Sequence, residues 1–234
     1  MDQYRSDAWI TAATSESQER ERAFIRSVYG WMFGGLALTS VAAYWVASSQ
    51  AMQALIFGTP GVSIGLMLAT LGLVFFLSFR IQKMTPATAA GSFFVFSVLM
   101  GLSLSSILFV YTAASIVQAF VVAAGMFAAM SVYGLVTKRD LTSWGSFFFM
   151  GLIGILLIGI VNIFVRSSAL SFVFSVVGVF VFVGLTAYDT QKLKRYAAIA
   201  GPQTTNYAVI GALALYLDLI NLFLMLLRLF GSRR

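Results

Sequence analysis

Long apolar stretches alternate with a few short charged segments along this chain. No charged residue occurs between 27 and 79 or between 84 and 137. Because a membrane-spanning helix needs about 20 apolar residues, each of these stretches is long enough for two crossings. Turn-forming residues at 48–61 divide the first stretch, and a weaker turn signal at 111–115 divides the second. Single crossings are then predicted over 144–165, 168–188 and 207–227, which gives seven spans in total.

The composition agrees with an all-α integral membrane protein. Of the 234 residues, 60% are hydrophobic and 10% are charged, and the mean hydropathy is +0.92, whereas soluble domains have about 25% charged residues. Residues 1–22 are polar and mixed in charge, so we predict a flexible N-terminal arm followed by a single transmembrane domain over 23–234. The first apolar run is too long, and too far from the start, for a secretory signal peptide.

The basic residues predict the orientation of the helices. Most of them fall in alternate connections, which the positive-inside rule places in the cytoplasm together with the N-terminus. With seven spans, however, Arg228, Arg233 and Arg234 would lie outside, against the same rule. A re-entrant last segment would remove this conflict, but residues 208–227 are long enough to favour a full seventh span. The residues assigned to the cytoplasmic side are Arg5, Arg20, Arg22, Arg26, Arg80, Lys83, Lys138, Arg139, Lys192, Lys194 and Arg195.

Composition also narrows the chemistry. The chain has no cysteine and no histidine, which excludes disulfides, thiol nucleophiles and imidazole acid–base catalysis. The net charge of +7 does not indicate nucleic-acid binding, since the basic residues flank apolar spans where they anchor helices in the lipid bilayer.

Two acidic residues, Asp189 and Asp218, lie in or at the edge of the apolar segments. The other six acids fall in the N-terminal arm or, for Asp140, in a short charged loop. An ionised and unpaired carboxylate costs several kcal/mol or more where water is scarce, so such a group must be neutralised, paired or bound to a cation. This pair is therefore the candidate functional site.

Asp218 lies about midway along the last predicted span. At helical spacing it shares a small and polar face with four other residues, namely Gly211, Ala214, Asn221 and Met225. A face of this kind should point into the bundle, so we expect the last helix to be central. A structural acid that pairs with a basic or amide side chain is the alternative interpretation of Asp218.

Asp189 ends the sixth predicted span, where we expect the helix to give way to a basic cytoplasmic segment. On this interpretation Asp189 could be an ordinary interfacial acid that Lys192 and Lys194 balance.

The segments TAYDTQ (186–191) and LALYLDLINLFLMLLRLFG (213–231) in the last third of the chain resemble the Bax inhibitor-1 family, also called the transmembrane Bax inhibitor motif family, in its short bacterial form. The resemblance extends back to YGWMFGGLALTS in the first span. It implies two three-helix triplets that wrap a central C-terminal helix. It also implies a pH-sensitive calcium leak in a bacterial inner membrane, with two aspartates close together near the cytoplasmic end.

Residue by residue, Asp189 and Asp218 match the paired aspartates of that family. Arg80 matches a position where some members place an arginine that pairs with them, although Arg80 would also serve as an ordinary interfacial anchor beside Lys83. Some relatives carry an acid about eleven residues before that arginine, and here the position is Ala69.

The chemistry of two close carboxylates is consistent with this resemblance. In a site of low dielectric they cannot easily both ionise, so they share a proton, and on its loss the added negative charge must find Arg80 or a divalent cation. Calcium prefers such oxygen ligands. We therefore predict a pH sensor and ion pathway at Asp189, Asp218 and Arg80, with the two aspartates as weak calcium ligands and no resident cofactor. The predicted supporting residues are Asn221, Tyr188 and Thr186.

Four other functions compete with the calcium leak. Intramembrane aspartyl proteases also use two aspartates, but their Gly-x-Gly and Pro-Ala-Leu motifs are missing, so an enzyme is not expected. A retinal protein needs a lysine inside a span, and none of the four lysines lies there. The main alternative is a membrane-embedded regulator that binds a partner, such as a membrane protease or a stress-response complex, through its N-terminal arm. Transport of another ion by the same carboxylates also stays open.

Overall fold

The structure is a computed structural model that describes residues 2–201 and 204–234, with only the backbone described for 2–14 and Pro60. The described residues form nine α-helices and one short 3-10 helix at Ile81–Lys83. In addition, the residues Tyr111 and Arg233 form an isolated antiparallel β-bridge. The helices are α1 (Asp2–Ser48), α2 (Gln50–Gly58), α3 (Pro60–Arg80), α4 (Pro86–Leu104), α5 (Ile107–Val110), α6 (Ala113–Val136), α7 (Thr142–Val165), α8 (Ser168–Ile199) and α9 (Thr204–Phe230).

Within the described residues, seven segments are long and apolar enough to cross a membrane, which confirms the predicted number of spans. The protein is thus an all-α integral membrane protein. Both predicted breaks are also confirmed, since α2 occupies the first and Tyr111–Thr112 separates α5 from α6. The spanning segments are Ser15–Ser48, Gly61–Lys83, Pro86–Val110, Ala113–Val136, Thr142–Val165, Ser168–Ile199 and Thr204–Phe230.

Short polar side chains begin several of these helices. Thr85, Thr112 and Ser167 each accept a hydrogen bond from the backbone N–H three residues later, and so satisfy a donor that has no partner within its helix. At the other end of α7, Arg166 adopts a left-handed conformation with φ of 52° and ends the helix. These caps fix where the chain turns between spans.

The helices are arranged as two triplets around a central helix, as predicted. Helices α1, α3 and α4 pack together as the first triplet, and α6, α7 and α8 form the second. Helix α9 packs against α8, α1, α6 and α4, and so lies between the triplets. In its most apolar stretch 72% of the residues are buried, whereas the other spans reach at most 28%.

Helix α9 crosses the full depth of the bundle. Near its start, the Nδ2 of Asn206 donates hydrogen bonds of 2.8 Å to the carbonyl oxygens of Ile81 and Met84, just before α4 begins. Beyond its end, the backbone N–H of Ser232 donates to the Oγ of Ser115, at the start of α6. Since α4 and α5 separate these two sites, α9 is a complete seventh span and not a re-entrant segment.

The prediction that the sixth span ends at 188 was wrong. Helix α8 continues to Ile199, so Asp189 lies inside a helix and not at its end. Neighbouring helices hold this polar extension, because Lys194 donates to the carbonyl oxygen of Leu135 and Arg195 donates to the Oγ1 of Thr142 at 3.0 Å. Hydropathy does not register hydrogen bonds of this kind.

The first helix begins within the predicted N-terminal arm. Its backbone is helical from Asp2, and residues 15–20 are exposed. Met1 lies outside the described residues. The flexibility of the arm and its boundary at residue 22 stay predictions.

Candidate functional site

Two close contacts set the register between α8 and α9. A β-carbon placed on Gly178 would lie 2.7 Å from the Sδ of Met225, and one placed on Gly211 would lie 2.6 Å from the Cδ2 of Leu193. At both points a β-carbon would meet the end of a flexible side chain, which would have to shift to admit it. The two antiparallel helices are therefore packed tightly above and below the predicted aspartate pair.

This register brings the predicted site residues together. It places Thr186 level with Asp218, and Asp189 about one helical turn nearer to the start of α9. On α8, Asp189 shares its face with the buried residues Phe182 and Leu193, and Leu193 packs against α9. The face that carries Asp189 is therefore turned toward the central helix.

Asp218 is buried and has no partner for one of its oxygens. Its residue is only 4% exposed, and its Oδ2 makes no hydrogen bond with any described residue. Among the described residues, none forms an ion pair with this carboxylate. An ionised carboxylate in such surroundings is strongly disfavoured unless a proton or a cation compensates it. This arrangement argues against the alternative of a structural acid paired with a basic side chain.

The charge that acts on Asp218 is that of Asp189. Asp189 is half-buried, and the two carboxylates interact electrostatically across the interface between α8 and α9. Like charges at such a site cannot both be accommodated without cost. The two carboxylates therefore form one electrostatic unit, the Asp189–Asp218 pair.

Arg80 does not join this unit in the structure. It is the exposed last residue of α3, and the described residues give it no ion pair with either aspartate. The cation that acts on Asp189 is Lys192, one helical turn further along α8. Its Nζ lies 5.4 Å from the centre of the Tyr196 ring and 5.8 Å from that of Tyr188.

Lys192 is thus a residue that the functional interpretation of the sequence missed. The sequence assigned Lys192 a role only in the alternative interpretation, in which Asp189 is an ordinary interfacial acid that nearby lysines balance. The available signal was its spacing, since residues three apart on a helix lie side by side. The two tyrosine rings hold the ammonium group at cation–π distance and so keep it near the aspartate.

The three predicted supporting residues occupy different environments. Thr186 is fully buried and donates to the carbonyl oxygen of Phe182 at 2.7 Å. Asn221 donates to the carbonyl oxygen of Leu217 at 2.8 Å, and so bonds within its own helix. The Tyr188 ring is turned toward α7, where it packs on Gly145. Of the three, Thr186 lies closest to the level of Asp218.

A second buried polar cluster joins α9 to the first triplet, and sequence analysis did not find it. The hydroxyls of Tyr216 and Thr39 are 2.6 Å apart, and the Oγ1 of Thr39 is also 2.9 Å from the carbonyl oxygens of Gly35 and Ser97. Tyr216 is fully buried, and its ring meets Phe93 edge-on. Because each hydroxyl has one proton, Tyr216 donates to Thr39 while Thr39 donates to a backbone carbonyl.

Few ligands for a cation converge at the aspartate pair. Within the described ranges, no group of three or more Asp, Glu, His or Cys side chains is close enough to hold a metal ion. A cation at this place would meet the carboxylates of Asp189 and Asp218 together with backbone or hydroxyl oxygens. These are ligands of the type that calcium accepts.

Comparison with known proteins identifies the family. The model of the family described as "Inhibitor of apoptosis-promoting Bax1" matches residues 21–234. The chain belongs to the Bax inhibitor-1 family. This confirms the resemblance inferred from the two aspartate motifs and from the first span.

Several bacterial proteins are similar to this Bax inhibitor-1 family protein. "Inner membrane protein YbhL" of Escherichia coli (strain K12) is 51% identical over 217 residues, which cover 91% of this chain and 93% of the relative. An uncharacterized protein of Deinococcus radiodurans is 44% identical, with 96% of each chain covered. "Uncharacterized protein RP147" of Rickettsia prowazekii is 41% identical over the full length of both chains.

Proposed function

We propose that this protein is a calcium-permeable leak channel of a bacterial inner membrane, with its N-terminus in the cytoplasm, and that the Asp189–Asp218 pair makes it pH-sensitive. The observation that carries the proposal is the environment of Asp218. Its carboxylate is buried in the central helix, has an oxygen without a hydrogen-bond partner among the described residues, and faces the charge of Asp189. Acids placed in this way inside a membrane protein are expensive and are typical of ion pathways.

The pair supplies the pH sensitivity. Two carboxylates in a low-dielectric interface are most stable when they share one proton, because the full double charge would be poorly solvated. With no histidine in the chain, the pair is the best-placed group to respond to pH near neutrality. Gain or loss of the shared proton changes the attraction or repulsion between α8 and α9 and so opens or closes the path.

The same carboxylates select for a cation. When the proton leaves, the added negative charge is compensated by Lys192 or by a divalent cation. Calcium binds oxygen ligands with flexible geometry, and two carboxylates alone make a weak site. Weak binding suits a leak, since an ion that binds tightly is not released quickly.

Calcium flux into proteoliposomes tests this function directly. We expect Asp218→Asn to abolish the pH dependence of calcium flux. The flux is measured from about pH 5 to about pH 8, which is roughly the range in which a pair of buried carboxylates can titrate. Asp140→Asn is the matched control, because Asp140 lies in an exposed loop outside the spans. The same vesicles, given sodium and proton gradients, identify the ion. A flux that keeps its rate and pH profile in Asp218→Asn would remove Asp218 from the mechanism.

A second function, the binding of a membrane protein partner, is favoured by the length of α1. The spanning segment Ser15–Ser48 has 34 residues, whereas a crossing needs about 20. Its first turns therefore extend out of the bilayer, where Glu16, Glu19 and Arg20 are exposed. Deletion of residues 1–20 should abolish the binding of such a partner, while Asp218→Asn should leave it intact. The reverse result would speak against regulation through the N-terminal arm.

A further inference from the structure

A deep groove runs along the bundle between α1 and α6. These helices belong to different triplets and leave a space of about 1040 Å³ between them. The floor of the groove is the central helix, through Leu219, Ile220 and Phe223. The two triplets therefore leave a groove on this side, at the bottom of which the central helix lies with its three lining residues still largely buried.

The walls of the groove are apolar along most of its length. Small residues on both sides, such as Ala37 on α1 and Ala124 on α6, give it depth. Hydrocarbon must fill such a recess in a bilayer, because wall atoms beside an empty space lose their dispersion contacts. The shape alone fits an acyl chain or an apolar helix.

One polar group in the groove lacks a partner. Tyr29 lies at the end of the groove nearest the start of α1, and its buried hydroxyl has no hydrogen-bond partner among the described residues. A buried hydroxyl without a partner is unfavourable, because it has given up its hydrogen bonds to water and gained none in exchange. An occupant that reaches this end of the groove and accepts a hydrogen bond there would remove that cost.

Two arginines lie close to the same side of α1 as Tyr29, nearer to the start of the helix. Arg26 precedes Tyr29 by about one helical turn and Arg22 by about two, so both lie close to the groove-facing side. Both are exposed, and neither takes part in an ion pair with a described residue, in contrast to Arg20, which pairs with Glu16 at 3.6 Å. Positive charge therefore lies next to the polar end of an apolar groove.

We propose that this groove binds an acyl chain of a membrane phospholipid with an acidic headgroup. The chain lies between α1 and α6 against Phe223, the Tyr29 hydroxyl donates to a headgroup oxygen, and Arg22 and Arg26 compensate the phosphate charge. A phospholipid carries an anionic headgroup at one end of its apolar chains. This matches an apolar groove that has a hydroxyl donor and positive charge at one end. An apolar protein helix would fill the groove without satisfying its polar end. The proposal does not depend on calcium permeation.

Native mass spectrometry of the purified protein tests the proposal. The protein is exchanged into mixed micelles that contain equal amounts of phosphatidylglycerol and phosphatidylcholine, and the retained lipid is measured. We expect one retained phosphatidylglycerol in preference to phosphatidylcholine. The double variant Arg22→Gln, Arg26→Gln should weaken its retention about tenfold, as expected when charge-assisted contacts are lost. Lys83→Gln, which removes an exposed charge away from the groove, is the matched control and should retain the lipid.

Variants that fill the groove provide an independent test of the proposal. Ala124→Phe should displace the acyl chain and reduce the retention of both lipids, whereas Tyr29→Phe should reduce the preference for phosphatidylglycerol but not chain binding. If Ala124→Phe does not fold, Ala128→Phe, which fills the same groove, replaces it. Equal retention of the two lipids by the unmodified protein, unchanged retention in the groove-filling variant, or a co-purifying protein segment in the groove would overturn the proposal.

Discussion

Gly134 in α6 lies so close to Ala187 in α8 that a β-carbon on Gly134 would be 2.4 Å from the carbonyl oxygen of Ala187. This contact lies within one turn of the level of Asp189 and holds the second triplet together behind the aspartate pair. Because the obstacle is backbone and not a flexible side chain, the helices would have to separate to admit a methyl group.

We therefore expect Gly134→Ala to lower the free energy of unfolding by about 1–3 kcal/mol. Gly125→Ala is the control within the same helix, since a β-carbon on Gly125 would have no neighbour within 4 Å. That change should be neutral or stabilise by up to about 1 kcal/mol through helix propensity. Unfolding of both variants in mixed SDS micelles measures the difference, and equal stabilities would contradict the close packing of α6 and α8.

The Tyr216 hydroxyl should contribute to stability through Thr39. Tyr216→Phe removes a 2.6 Å hydrogen bond in the buried centre and leaves Thr39 bonded to backbone carbonyls of its own triplet. We expect a loss of about 1 kcal/mol in the free energy of unfolding, which is typical of a single hydrogen bond between membrane helices. Tyr44→Phe, at a residue 73% exposed, serves as the control and should have no effect.

Lys192 and Arg80 can be distinguished by the pH profile of calcium flux. A positive charge favours the ionised form of a nearby carboxylate, so Lys192→Gln should move the midpoint of the profile to higher pH, whether flux rises or falls with pH. Arg80→Gln should have a smaller effect, because Arg80 is exposed and solvent screens its charge. A larger shift for Arg80→Gln than for Lys192→Gln would instead support the counter-charge predicted from the sequence.

Asp140 provides a titration outside the membrane. Hydrogen bonds from the Thr142 side chain and then from its backbone N–H lower the pKa of Asp140 below its ordinary value of 3.8. Since the folded pKa is lower than the unfolded one, the resulting stabilisation is present above about pH 4 and is lost as the pH falls through the folded pKa. Thr142→Val keeps only the backbone donor, so the pKa should rise toward 3.8.

Carbon-13 NMR of the Asp140 carboxyl group measures that change. The Arg195 guanidinium, which donates to the Thr142 hydroxyl at 3.0 Å, makes a weaker contribution. Arg195→Gln should therefore raise the pKa by less than Thr142→Val does. A pKa unaffected by Thr142→Val would show that the side-chain hydrogen bond does not form in solution.

The span pattern and the central position of the last helix could be predicted from the sequence for one physical reason. Charges are excluded from hydrocarbon, so charge-free stretches mark the crossings, and a helix that carries Asp218 among small residues must be shielded by its neighbours. Both features depend on which residues tolerate lipid. Hydropathy measures this property directly.

Other features depend on contacts between helices and were not predictable from hydropathy. Helix α8 continues past 188 because Leu135 and Thr142 accept hydrogen bonds from its basic end, and these partners are more than 50 residues away. The bond between Tyr216 and Thr39 likewise joins residues 177 positions apart. Lys192 was overlooked for a different reason, since its role depends on the two tyrosine rings that hold it.

Tyr216 and Asp218 are two residues apart on α9, so their side chains point to nearly opposite sides of that helix. Tyr216 is bonded to α1 of the first triplet, and Asp218 faces α8 of the second. Any rotation of α9 that separates the two carboxylates must also pull the tyrosine hydroxyl away from Thr39. If the proposed function holds, the central helix is a torsional link through which a proton gained or lost at Asp218 exerts a mechanical force on the contact between Tyr216 and Thr39.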